Sequence, residues 1–160
     1  MSGRPLIFVV AGEASGDLHA ARVMAALRDA TGNAVGFAGI GGPRMQAQGL
    51  ESLFPMEELS LFGLVEVLPR IRSLLARIRQ TRAAALACAP DVLFTIDSPG
   101  FNFRLGRGLH GQRTFPHIHL VPPTVWAYRP GRAKSIAGFL DHLVAIFPFE
   151  PPLFERHGLP

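Results

Sequence analysis

Three short stretches hold the residue types that do chemistry. In "TIDSPGFN", Asp97 ends an apolar run and is followed at once by a Ser98-Pro99-Gly100 turn, with Asn102 just beyond. A carboxylate held at such a place can act as a general base, taking the proton of an attacking hydroxyl. An Asp before a turn also serves as a helix cap or Asx-turn residue, and the residues alone leave both roles open. In "VPPTVWAYRPGRAK", Trp126 and Tyr128 supply flat apolar surface with polar tips, and Arg129, Arg132 and Lys134 supply donors suited to phosphate. Cations near a helix start are disfavoured unless an anion joins them. The plainer alternative is a solvated basic rim beside two partly buried aromatics.

The third stretch is "AGEASGD", residues 11–17. A dinucleotide fingerprint needs G-x-G-x-x-G, and a P-loop needs four residues between its glycines and then Lys with Ser or Thr. Here three residues separate Gly12 from Gly16 and no Lys follows. Glu13 and Asp17 would also repel a phosphate at a helix N-terminus. The turn is therefore unusual for a reason other than cradling phosphate. His117 and His119 sit two apart in an apolar stretch and share a face if it is a strand. No further ligands stand at a readable metal spacing, so the expectation is structural histidines and no metal.

These residues need a scaffold, and the hydrophobic pattern supplies one. Apolar runs at 6–11, 35–40, 91–97, 115–121 and 141–147 read as strands, the first with no polar alternation, as expected when both faces are covered. Helical periodicity occupies 18–30, with Ser15 or Asp17 able to cap it, then 57–68, 70–88, 101–110, 130–140 and 150–158. A short helix near 44–48 and an extended piece near 51–54 complete the pattern. Pro69 breaks a helix or starts one. This alternation predicts an α/β fold, a Rossmann-like parallel sheet with helices on both faces. Ligands in such sheets bind beyond the carboxyl ends of the strands, which selects residues 12–17, 97–102 and 122–132.

The helix over 70–88 carries a further signal. At about 100° per residue, Ile71, Leu74, Leu75 and Ile78 form one stripe, with Arg70 and Arg77 on one side and Arg72 and Arg79 on the other. Val65, Val67 and Leu68 extend the apolar run upstream. Arginines flanking an apolar stripe suit a helix lying in a membrane interface; a helix covering the sheet has the same look.

Composition narrows the partners. The 160 residues are 48% hydrophobic, suit one domain and exclude general disorder. The net charge of +4 rests on fifteen Arg and one Lys and fits phosphate-rich partners or a composition bias towards Arg. No apolar run reaches the roughly 18–20 residues of a membrane span, no adequate signal-peptide core precedes Gly12, and the lone Cys88 points to a reducing cytoplasm. The arginines are not interleaved with aromatics on a sheet, so nucleic acid is not expected as a partner.

Taken together, "AGEASGD", "GIGGPRM", "MEELSLFGLVEVLPR", "PDVLFTIDSPGFN", "PTVWAYRPGR" and "FPFEPPLFERHGLP" resemble, in order and spacing, the lipid-A-disaccharide synthase family of bacterial glycosyltransferases. The resemblance implies the N-terminal half of a GT-B glycosyltransferase, with residues 1–160 as the acceptor-side domain and the C-terminal nucleotide-sugar domain absent. It implies transfer from UDP-2,3-diacylglucosamine to 2,3-diacylglucosamine 1-phosphate, inverting, without metal or other cofactor. Asp97 would be the base, and Gly12, Glu13, Ser15, Gly16, Asn102, Trp126, Arg129 and Arg132 would meet substrate. Val65, Val67, Leu68, Ile71, Leu74 and Leu75 would contact the inner membrane from its cytoplasmic face, and the full-length enzyme would form a homodimer. Gly100 departs from the family pattern, in which many members carry a second acid there. The rival reading is a membrane-surface module without catalysis of its own.

Overall fold

The computed structural model describes residues 3–60, 67–125 and 131–160, with only the backbone at 60 and 67–69. Five strands, β1 (Leu6–Ala11), β2 (Gly36–Ile40), β3 (Val92–Ile96), β4 (His117–Leu120) and β5 (His142–Val144), form one parallel sheet in the order β2-β1-β3-β4-β5. The helices are α1 (Ala14–Ala30), α2 (Pro43–Ala47), α3 (Glu57–Ser60), α4 (Val67–Cys88), α5 (Pro99–Leu109), α6 (Gly131–Ala137) and α7 (Pro151–Glu155). The predicted parallel α/β class is therefore the observed one. The chain reverses direction across the sheet between β1 and β3. With right-handed crossovers this sends α1 to one face and α4 and α5 to the other.

Strand and helix ends differ from the periodicity in instructive ways. The outer strands are short because their pairing ends where β4 and β5 stop matching, so 115–121 contracts to four residues and 141–147 to three. The helix over 70–88 takes in Val67, Leu68 and Pro69 as well, so Pro69 lies within it. Of the helix expected over 57–68, Glu57–Ser60 form α3 and Val67 and Leu68 join α4, while 61–66 lie outside the described residues. The first helix begins at Ala14, so Ser15 and Asp17 lie inside its first turn and neither caps it.

Asp17 caps a different helix. Its buried carboxylate accepts the backbone N–H groups of Gly42 (2.9 Å), Arg44 (3.1 Å) and Met45 (3.0 Å) at the start of α2. Gly42, the N-cap residue of α2, has no side chain to do this. Asp17→Ala leaves those donors without their acceptor and is expected to cost about 3 kcal/mol or more of stability. Equilibrium denaturation in urea checks it, and an unchanged midpoint would contradict it.

Two apolar clusters fill the layers. The larger joins Phe8, Val10, Met24, Ile40, Leu93 and Ile96 to Leu74, Ile78 and Leu105 from α4 and α5. The smaller packs Phe103 of α5 against Ile136, Phe139, Leu143 and Phe154. Between the outer strands and this second cluster lies a polar island. Thr95 Oγ1 sits 2.8 Å from His117 Nε2 and 2.7 Å from His119 Nδ1, with all three residues fully buried. One hydroxyl proton cannot serve two acceptors, so at least one of the rings donates its N–H to Thr95 Oγ1. Gly106 makes room for this: a Cβ there would stand 2.7 Å from His117 Cε1.

Candidate functional site

In an open parallel sheet the crevice for a ligand opens where strand order reverses. Here that point lies between β1 and β3, and the segments leaving these two strands are "GEASGD" and "DSPGFN". A hydrogen bond joins them across the switch point: Ser15 Oγ donates to Asp97 Oδ2 at 3.3 Å. Asp97 is half-buried, and Glu13, Ala14 and Ser15 beside it are exposed. Glu13 is the N-cap residue of α1 but makes no capping bond through its side chain.

The chain turns sharply at Asp97. Both Asp97 (φ +51°) and Ser98 (φ +44°) adopt the left-handed conformation, which costs non-glycine residues about 1–2 kcal/mol each. On the neighbouring strand Val121 leaves β4 at φ +71°, a rare choice for a β-branched residue. Strain of this kind persists only where surrounding bonds over-determine it, and it clusters at functional sites. Asp97 N–H bonds to the Leu120 carbonyl at 3.2 Å, and the Ser98 carbonyl accepts the N–H of Phe101 (3.1 Å) and Asn102 (2.9 Å) as α5 begins. The half-buried Asp97 carboxylate is thus fixed at the lip of the sheet, beside the exposed start of α1.

Several expected contacts sit elsewhere. Asn102 is fully buried and donates its amide N–H to the carbonyls of Ile96 (3.1 Å) and Asp97 (2.8 Å), so its side chain does not face a ligand directly. Gly12 is buried too: a Cβ there would come within 2.5 Å of Ser98 Oγ and 3.2 Å of Leu59 Cβ. Gly16 packs α1 onto Ala11 and Ile96. These two glycines, expected to meet substrate, instead allow close packing of the protein on itself. Arg132 is exposed in the first turn of α6. Trp126 and Arg129 lie outside the described residues, as does Val65, and the side chains of Val67 and Leu68 do as well.

Near Arg132 lies a cavity of about 520 Å³, lined by Val125, Ala133 and Leu153 on its apolar side and by Lys134, Arg156 and His157 on its basic side. Among the described residues neither Lys134 nor Arg156 forms an ion pair. Chain order puts the starts of α6 and α7 at the carboxyl side of the sheet, the side Asp97 occupies. Among the described residues no cluster of His, Cys, Asp or Glu could hold a metal.

The apolar stripe of α4 divides. Leu74 is only 8% exposed and Ile78 is buried with it, both in the main core, so Leu74 is not available to a membrane. The reason is that α4 covers the sheet with the edge of the stripe nearer Arg70 and Arg77. Ile71 (40% exposed) and Leu75 (47%) remain outside, beside exposed Arg72 and Arg79. Arg77 instead makes a two-pronged ion pair with Glu58, at 2.6 and 2.8 Å, and lies 4.5 Å over the Phe54 ring. No helix among the described residues is long and apolar enough to cross a membrane.

A parallel sheet in this order, with an acidic elbow at its switch point, defines a doubly wound, Rossmann-like domain. Within that class the chain belongs to the lipid-A-disaccharide synthetase family, whose pattern it matches over residues 7–160. It is 59% identical to the lipid-A-disaccharide synthase of Rhodospirillum centenum over 97% of this chain and 39% of that one. Against the synthases of Paramagnetospirillum magneticum and Ruegeria pomeroyi the identities are 53% and 49%, each over 96% of this chain and 40% and 38% of theirs. The chain thus spans about two-fifths of the length of these relatives.

Proposed function

We propose that this chain is the acceptor-side domain of a lipid-A-disaccharide synthase, an inverting glycosyltransferase of the GT-B type. In this reading the 6-hydroxyl of 2,3-diacylglucosamine 1-phosphate attacks the anomeric carbon of UDP-2,3-diacylglucosamine. The hydroxyl proton passes to the Asp97 carboxylate, the new β-1,6 bond forms, and UDP leaves with the bonding electrons. The observation that carries the reading is the Asp97 elbow at the sheet's switch point, bridged to the start of α1 by Ser15. Ser15 keeps one carboxylate oxygen oriented and leaves the other to meet an incoming hydroxyl. Glu13, exposed beside them, is placed to accept bonds from sugar hydroxyls. The basic and apolar walls of the cavity near Arg132 suit an acylated, phosphorylated sugar.

The test joins this chain to the remaining length of the Rhodospirillum centenum relative and measures UDP release with both lipid substrates. Release that depends on the acceptor supports the reading. A folded fusion that hydrolyses or transfers nothing, beside an active relative, contradicts it.

Contact with a lipid surface is supported by Ile71 and Leu75, exposed beside Arg72 and Arg79 on α4. Ile71→Ser with Leu75→Ser is expected to weaken association with anionic liposomes by about 10²-fold or more, since each buried side chain contributes about 1.5–3 kcal/mol. Because both side chains point away from the core, the thermal midpoint should hold. Undiminished sedimentation would remove α4 from the contact.

A further inference from the structure

From the hydrogen bonds beneath the Asp97 elbow we infer that Asn102 is the positioning residue that holds the base in place, rather than a contact of the substrate. The inference rests on the reading of Asp97 as base. Two consecutive non-glycine residues in the left-handed region need something to hold them there, and the bonds around them show what does. The Asn102 amide donates to the carbonyl on each side of the strand exit, Ile96 at 3.1 Å and Asp97 at 2.8 Å. Its own backbone N–H bonds to the Ser98 carbonyl at 2.9 Å. One residue therefore grips the last strand residue and both members of the elbow.

Burial makes this grip hard to replace. Asn102 is fully enclosed, so no solvent molecule can take over either bond without the turn opening. From the opposite side, Gly12 has no side chain where Ser98 stands, which lets the elbow close down onto the start of α1. Ser15, on that same helix, reaches Asp97 Oδ2. Asn102 below and Ser15 above thus fix the carboxylate's backbone and its oxygen separately. A base displaced by about 1 Å can lose on the order of 100-fold in rate, so loosening Asn102 should act on turnover and not on substrate affinity.

The experiment uses Asn102→Ala and the milder Asn102→Ser in two settings. In the fusion described above, Asn102→Ala is expected to lower kcat by about 100-fold while KM for either substrate changes less than about threefold. A rise in KM with kcat preserved would make Asn102 a substrate contact and overturn the inference. In the 160-residue chain, crystal structures of the variants are expected to show Asp97 leaving its positive φ with the five-stranded sheet intact. An unchanged elbow in both variants would overturn it, and so would loss of folding in both, which would assign Asn102 to the fold alone. Should Asp97→Asn leave the fusion active, the base assignment fails on its own. The backbone response of Asp97 to Asn102→Ala then still decides whether Asn102 holds the elbow.

Discussion

Asp97→Asn, in a chain completed by the remaining length of the family, is expected to lower glycosyl transfer by about 10³-fold with little effect on stability. The amide has nearly the carboxylate's shape and can still accept the hydrogen bond from Ser15, so the elbow should survive. It cannot take a proton, and general-base assistance typically contributes about 10²–10⁴-fold. The loss should appear chiefly in kcat, because with its one oxygen on Ser15 the amide turns its NH2 to the acceptor, where it can still bond the hydroxyl oxygen but cannot take its proton. Ser15→Ala should do less, since it frees one oxygen of Asp97 without removing its basicity. Activity of Asp97→Asn within a few-fold of the parent would take the base role away from this residue.

Acidification is expected to destabilise the domain, beginning below pH 6.5, through the two buried histidines of β4. Burial first, then the charges of His119 and Arg113, pushes His117 down from its ordinary value of 6.5 to about 3. Burial likewise brings His119 down to about 4, partly offset by the backbone at Val121. Both rings are therefore neutral in the folded state at pH values where the unfolded chain protonates them. With the folded values depressed, the unfolded state binds more protons below pH 6.5. Stability is then full above that value and falls as the pH drops towards about 4 and about 3. Each ring contributes about 1.4 kcal/mol per pH unit inside its window, so the pair removes about 4 kcal/mol between pH 7 and pH 5. That is a large share of the roughly 5–15 kcal/mol by which a domain is stable. Urea denaturation across that range checks it, and His119→Gln should roughly halve the slope. Stability that stays flat from pH 7 to pH 5 would mean the rings are hydrated or paired in the folded state.

The scaffold was legible because buried parallel strands are continuous apolar runs, and "LIFVVA" and "VLFTI" have no other comfortable home. Asp97 was legible for a related reason: a charge ending such a run, followed by Ser-Pro-Gly, must come out at the strand's carboxyl end. What the residues could not reveal was the partner of each polar side chain. Asp17 reads as a cap, but the N-cap residue of the helix it caps lies 25 positions away, and nothing in its neighbourhood distinguishes that helix from its own. Asn102 looks like a site residue because it follows Asp97 closely; only folding turns its amide back onto the carbonyls of 96 and 97. The five-residue step back from Asn102 to Asp97 across a Pro-started helix is the sequence signal that points to such a clamp. Leu74 and Ile71 share a stripe, and periodicity cannot tell which part of a stripe the sheet covers. Thr95 stands opposite His119 in the β3–β4 register, so the polar island depends on a strand pairing that no local pattern encodes.

The central claim is that the Asp97 carboxylate meets the hydroxyl that attacks, and a structure with the acceptor bound tests it most directly. Crystals of the chain grown with 2,3-diacylglucosamine 1-phosphate, or a short-chain version of it, should place the sugar's 6-hydroxyl oxygen about 2.6–3.2 Å from an Asp97 oxygen. The same map should show Asp97 and Ser98 still left-handed and Ser15 still on the other oxygen. An ordered sugar whose 6-hydroxyl points away from Asp97, or which sits on another face of the sheet, would contradict the account.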